Sequence, residues 1–370
     1  MWSDDPIVIT GLGVTTALGD RDQSWRRLLA GESALQLRQP FQELPPYPLA
    51  MIGDRPANLE DLTITTARET LRDAGMLADS SADVQKSKLQ DIGLVVGSSR
   101  GFQGRLEQEC DRHYSQAADK GTSADANLWF QRALPQEVAI AVAREFGIQG
   151  PLSAPMSACA TGLWSIMQGV LMLRAGQCRQ VLVVAADSPI TPLCIAGFSR
   201  MGAIAPDGMY PFDIERQGLS LGEGAAGFML ETQRHAADRS AEIYGEILGL
   251  GLTADGTHIT APDETLTGVD RAIDRCLRSG QFKHSNAREN QDLTAAIGYV
   301  HAHGTATQRN DRQEAAILQR WFPQGIPISS TKGATGHTLG ASGALGIAWS
   351  LLALKNQALP PVYWIAAPCF

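Results

Sequence analysis

No two of the six cysteines (Cys110, Cys159, Cys178, Cys194, Cys276, Cys369) stand at CxxC spacing, and none lies in a histidine-flanked cluster. A zinc ribbon and a disulfide framework are therefore not expected, and a reducing cytoplasm is the default compartment. Positive charge is also in short supply. With 31 Lys and Arg against 39 Asp and Glu, the net charge is −8, which gives no general attraction to nucleic acid or to an anionic membrane. An acidic protein partner would need a local basic patch to dock. Long apolar runs are missing too. The uncharged stretch Pro151 to Leu173 is interrupted by Pro155, Ser157, Thr161, Ser165 and Gln168 and reads as buried core, not as a membrane span. The acidic start, Met-Trp-Ser-Asp-Asp, lacks the basic region of a secretory leader.

What is present is an ordinary globular composition, 44% hydrophobic over 370 residues, enough for one large domain or two closely packed halves. Apolar runs read as strands at Pro6–Gly13, Asp91–Gly97, Gln180–Ala186, Ala225–Glu231, Glu242–Gly251, Ala296–His301 and Ile326–Ser329. Runs this apolar suit a sheet covered by helices on both faces. Helical periodicity fills the gaps at Glu60–Gly75, Glu264–Gly280 and Asn310–Phe322, the last with Asn310 as its cap and Glu314 near its first turn. The expected class is α/β, with the chain divided near residue 240 into a first half (1–240) and a second half (241–370).

The segment from Ser153 to Leu163 joins an extended stretch to a helix expected over Ala160–Ala175. Leu163, Met167, Val170 and Leu173 trace one face of it, and apolar residues fill the others, so burial nearly all round is expected. Cys159 then stands at the amino end of that helix, where unpaired N–H groups and the helix dipole favour a thiolate. A buried structural cysteine is the plain alternative, as it is for the other five.

Two further loops follow strands. The first holds His301-Ala-His303-Gly-Thr305-Ala-Thr307, and spacing does not choose between its histidines. The second, Ser329 to Gly340, holds Lys332 and His337 and runs into an apolar helix at Ala341–Leu354. Its glycines and lysine are not in the GxxxxGK[ST] order of a phosphate loop. A thiolate can accept an acyl group, and two imidazoles can hold a developing enolate oxygen, with no metal or organic cofactor. Composition alone also admits a papain-like hydrolase.

SACATG around Cys159, HGTATQRND from His303 and STKGATGHTLGASGALG from Ser330 together resemble the three motifs of the β-ketoacyl-acyl-carrier-protein synthases, in the type II, elongating, Cys-His-His class. PIVITGLG, GFSRMGAI, YPFDIERQGLSLGEGAAGFMLE and DGTHITAP extend the similarity over almost the whole chain. The resemblance implies a thiolase fold, two βαβαβαββ halves packed as a five-layered αβαβα sandwich, and a dimer through core strands. It implies Cys159 as acylated nucleophile and His303 and His337 as the decarboxylation and condensation pair. Lys332 would order the second histidine, with Glu314 beside it. Thr305 and Thr307 would bind the phosphopantetheine arm of an acyl carrier protein, and Phe198 would gate the acyl pocket. The 370 residues contain no GFGGTN-like loop, which the family uses for an oxyanion donor and a second gating Phe. The second sheet is accordingly expected to expose an edge. A subunit resembling a chain-length factor in a heterodimer is the alternative expectation to an active synthase.

Overall fold

The computed structural model describes residues 5–77, 89–117, 133–257, 263–279, 293–363 and 365–369. Its first half is organised by one mixed sheet, in spatial order Gly19–Asp20, Ile7–Thr16, Gly224–Thr232, Gln180–Asp187, Gly93–Gly97 and Leu152–Ser153. The last three strands run parallel to one another, and the Gly224–Thr232 strand is antiparallel to both of its neighbours. The central strand shows why these sequences look continuously apolar. Val181, Val183 and Ala185 point into one core, and Leu182, Val184 and Ala186 into another.

Helices Leu59–Asp73 and Gln136–Phe146 cover the outer face, and Thr161–Arg174 and Ser342–Asn356 the inner one. Close approach is set by glycine. A Cβ on Gly13 would lie 2.6 Å from the carbonyl oxygen of Thr66, and one on Gly169 would lie 2.8 Å from Val183 Cγ2. The helix Ser342–Asn356 separates the large sheet from a second one, in which Val300–His301 and Ile328–Ser329 pair in parallel. Helices Thr267–Ser279 and Gln308–Trp321 join through Trp321 Nε1, which donates to Asp270 at 2.9 Å. The order helix, sheet, helix, sheet, helix is the thiolase-type arrangement implied by the resemblance.

Several expected elements differ. The Glu242–Gly251 strand shrinks to Gly245–Glu246 on the edge of Ile7–Thr16, and Ala296–His301 shrinks to its last two residues. Among the described residues each has a ladder partner on one side only, and backbone pairing continues just one residue further, through the N–H groups of Tyr244, Ile247 and Ala302. The Gln308–Trp321 helix starts two residues before Asn310, which therefore is not its cap. The Asn310 amide donates to Asp311 and Glu314 instead, and Glu314 lies in the second turn. The helix after Cys159 is not buried all round. Thr161, Ser165, Ile166, Gly169, Val170 and Leu173 face inward, while Leu163 is 45% exposed. Ile166, Val170 and Leu173 pack on the sheet, and Gly169 among them lets the backbones come together.

Candidate active site

Three loops converge above the inner helices. Cys159 occupies a 3-10 turn, Ala158–Ala160, directly before Thr161–Arg174. His303 follows the strand end at His301, and His337 follows the short helix Lys332–Thr335. Cys159 Sγ and a ring nitrogen from each histidine lie within 4.8 Å of one another. The two rings meet edge to face, with centroids 5.6 Å apart and planes at 85°. Cys159 and Phe198 each pack against an apolar cluster that includes Ile190, Ile195, Leu221 and Leu339.

Each loop is held in a conformation that non-glycine residues seldom adopt. Ala158, Ala306 and Leu339 have φ of 47°, 60° and 44°, next to Cys159, between Thr305 and Thr307, and two residues after His337. Such backbone persists only where the surroundings over-determine it. Around His303 the surroundings are two carboxylates. Glu314 accepts the N–H groups of His303 at 2.6 Å and Gly304 at 2.8 Å. Asp311 accepts those of Thr305 and Ala306 at 3.0 and 3.1 Å and that of Phe212 at 2.7 Å, with Arg216 Nε 3.8 Å away. The Thr305 and Thr307 hydroxyls lie 2.9 Å apart. Lys332 is almost fully buried, and its ammonium donates to the carbonyl oxygen of His303. The lysine therefore ties down the first histidine's loop, and not the second histidine as the resemblance implies.

His337 is 2% exposed. Its backbone N–H donates to Ser220 O at 2.7 Å, and its carbonyl accepts from Gly222 N at 3.1 Å. On the ring, Nδ1 accepts from the Leu339 N–H at 3.0 Å and lies 3.1 Å from Ser342 Oγ. A backbone N–H can only donate, so Nδ1 is the bare nitrogen and the proton sits on Nε2. Burial, and then the Lys332 charge, push His337 well below the ordinary histidine range and His303 down to about 3. Both imidazoles are therefore neutral donors at neutral pH.

The same burial lowers Lys332 and raises Glu314 and Cys159. The expectation of a thiolate favoured by the helix end is thus corrected. Burial outweighs the Lys332 and Arg100 charges that favour the anion. His301 does not join the site. The chain turns out of the strand at once, and the His301 ring packs where a Cβ on Gly346 would stand, 3.3 Å from Thr331 Oγ1. Among the other described cysteines only Cys194 is buried; all are free thiols. The donor set Cys159, His303 and His337 could also close on a soft divalent ion, although the Lys332 ammonium opposes a cation there.

Three residues of the site escaped the sequence reading. Asp311 lies in HGTATQRND, and its signal is an acidic residue six positions after a strand-end glycine-threonine pair; Arg216 lies in YPFDIERQG. Asp187, at the end of an otherwise apolar strand, is fully buried and held by five donors.

A cysteine facing two neutral imidazole donors, His337 buried and His303 only partly so, has the chemistry for thioester acyl transfer, and it is carried on a thiolase-type fold. The chain belongs to the β-ketoacyl synthase family. "Beta-ketoacyl synthase, N-terminal domain" matches residues 55–236 and "Beta-ketoacyl synthase, C-terminal domain" residues 244–365. A 3-oxoacyl-[acyl-carrier-protein] synthase 2 of Coxiella burnetii is 30% identical, with 98% of this chain and 89% of that protein covered. A ketosynthase solved in a type II polyketide complex with its acyl-carrier protein superposes with a TM-score of 0.83 at 23% identity, covering 99% and 91% of the two chains. The ishigamide ketosynthase/chain length factor gives a TM-score of 0.81 at 26% identity, covering 97% and 88%. No helix among the described residues is long and apolar enough to cross a membrane.

Proposed function

We propose that this chain is a 3-oxoacyl-acyl-carrier-protein synthase, an acyltransferase that joins an acyl group on Cys159 to malonyl carried on an acyl carrier protein. The observation that carries this reading is the approach of one thiol and two imidazoles within 4.8 Å, with the His337 proton held on Nε2 by the Leu339 N–H. In the first half-reaction the Cys159 sulfur attacks the carrier thioester carbonyl, and the pantetheine thiolate leaves and takes a proton. In the second, malonyl carrier protein loses carbon dioxide. The electron pair of the broken C–C bond becomes an enolate, whose oxygen accepts hydrogen bonds from His303 and His337. These donors act on a charge present only along the reaction path. The carbanion then attacks the acyl-Cys159 carbonyl, the sulfur leaves, and a 3-ketoacyl carrier protein departs. The Thr305 and Thr307 hydroxyl pair would contact the pantetheine arm, and Phe198 would border the acyl chain.

No step needs a metal or organic cofactor beyond the carrier's phosphopantetheine. Fatty acid or polyketide assembly in the cytoplasm is the setting this chemistry fits. The active unit would be a homodimer or a heterodimer with another ketosynthase-like subunit. The chain-length-factor reading is supported by the ketosynthase/chain length factor assembly among similar structures. The presence of Cys159 favours the catalytic one. Mass spectrometry after incubation with acyl carrier protein is expected to show an acyl adduct on Cys159, absent in Cys159→Ala. An unmodified Cys159, alone and with co-expressed neighbours, would favour the structural subunit.

A further inference from the structure

The fully buried carboxylate of Asp187 lies outside the mechanism above. It closes the central strand Gln180–Asp187 and meets two segments that are remote in sequence. Ser98 Oγ and Ser99 Oγ each donate to it at 2.5 Å, the Ser99 N–H at 3.1 Å and the Arg100 N–H at 3.3 Å. From the other half of the chain the Gly340 N–H donates at 2.6 Å. Gly340 has no room for a side chain. A Cβ there would lie 2.6 Å from Asp187 Oδ2 and 2.8 Å from Ser99 N. The carbonyl of Gly340 faces the nucleophile helix, where a Cβ on Gly162 would come within 3.1 Å of it and 2.6 Å of Ala344 N. Gly340 thus lies between Asp187 and the helix that begins directly after Cys159, three residues beyond His337.

We propose that Asp187 is a positioning residue for the condensation site, holding the His337 turn at a fixed distance from the Cys159 helix and from the Ser98–Gly101 loop. Five donors converge on one carboxylate, which no neutral side chain of that shape can satisfy, because an amide presents hydrogens where two of the donors now point. The Leu339 N–H that sets the His337 tautomer belongs to the turn Leu339–Ala341, which this carboxylate anchors and which packs against the Ala158–Ala160 turn. Losing the anchor displaces the imidazole donor while leaving the nucleophile on its own helix.

This rests on the condensing reading, so the wild-type chain is measured first for acyl transfer to Cys159 and for malonyl-thioester decarboxylation. Failure of both there refutes that reading whatever Asp187 does. In an active wild type, Asp187→Asn is expected to keep acyl transfer within about threefold. It should lower kcat for decarboxylation on the order of a hundredfold, as an ångström of misplacement does, with KM little changed. The charged groups that face Cys159 are Lys332, Arg100 and Asp187, the last of which raises the thiol. Removing that negative charge is therefore expected to move the pH profile of Cys159 alkylation to lower pH. A role in the scaffold alone would depress both half-reactions together, and that result, or unchanged decarboxylation, overturns the proposal. Should Asp187→Asn not fold, Gly340→Ala and Ser99→Ala decide. Gly340→Ala keeps the charge and shifts the turn, so decarboxylation should fall with the alkylation profile unmoved. Ser99→Ala removes one donor and should give a smaller fall of the same kind. Both half-reactions falling in parallel in these variants overturns the proposal as well.

Discussion

Glu314 and Asp311 between them accept four consecutive backbone N–H groups, from His303 to Ala306. A loop that would otherwise relax is thereby held with Ala306 at positive φ, and the His303 ring is directed at Cys159. Removing a buried acceptor leaves its donors unsatisfied, at about 1–3 kcal/mol each. Glu314→Ala is therefore expected to destabilise the fold by roughly 2–6 kcal/mol on that arithmetic and to cut decarboxylation far more than Cys159 acylation. Denaturant melts and the two half-reaction assays check this; unchanged decarboxylation would deny Glu314 its role. The identity of the working histidine was not legible from spacing. His301 and His303 are two residues apart, and strand alternation would send both to one side, but the strand ends at His301 and Gly304 turns the chain with φ 43°. Asp187 was illegible for another reason. Its donors come from about 90 residues before it and about 150 after it, and a lone acidic residue closing an apolar strand carries no local sign of them.

At the scale of elements, strands buried on both faces were readable because each carries an unbroken apolar run. The ends of Ile7–Thr16, Gly93–Gly97, Gln180–Asp187 and Gly224–Thr232 lie within a few residues of the sequence reading. Glu242–Gly251 and Ala296–His301 were over-read, because a strand's length depends on ladder partners that its own sequence does not reveal. On the nucleophile helix Met167, Val170 and Leu173 are buried as their spacing implies and Leu163 is exposed, while Gly169 sets how closely the helix approaches the sheet. Gly169→Ala would place a methyl 2.8 Å from Val183 Cγ2 and 2.9 Å from Leu230 Cδ1. The variant is expected to lose about 1–3 kcal/mol by overpacking, measured by urea melts. An unchanged midpoint would mean that helix and sheet are not held in contact there.

Across the whole molecule, burial of titratable groups sets a pH dependence. His301 and His303 are pushed down to about 3, and His337 well below the usual range, burial being the first cause of each. In the unfolded chain they take up protons near pH 6.5, and in the folded chain they do not. Stability is therefore fully present above pH 6.5 and is lost as pH falls below it, by up to about 1.4 kcal/mol per pH unit for a fully buried imidazole. Thermal melts should show Tm falling steadily from pH 7 to pH 5, with a shallower fall in His337→Ala. An equal slope in that variant would show that His337 takes up protons in the folded state.

The central claim is that Cys159, His303 and His337 act in one site with divided labour, and the two half-reactions measured separately in His303→Ala and His337→Ala test it most directly. Acylation of Cys159 from an acyl carrier protein should persist in both variants, while loss of carbon dioxide from malonyl carrier protein should fall by two orders of magnitude or more, the scale of losing a preorganised donor. Equal loss of both half-reactions, or decarboxylation that survives either substitution, would contradict the account.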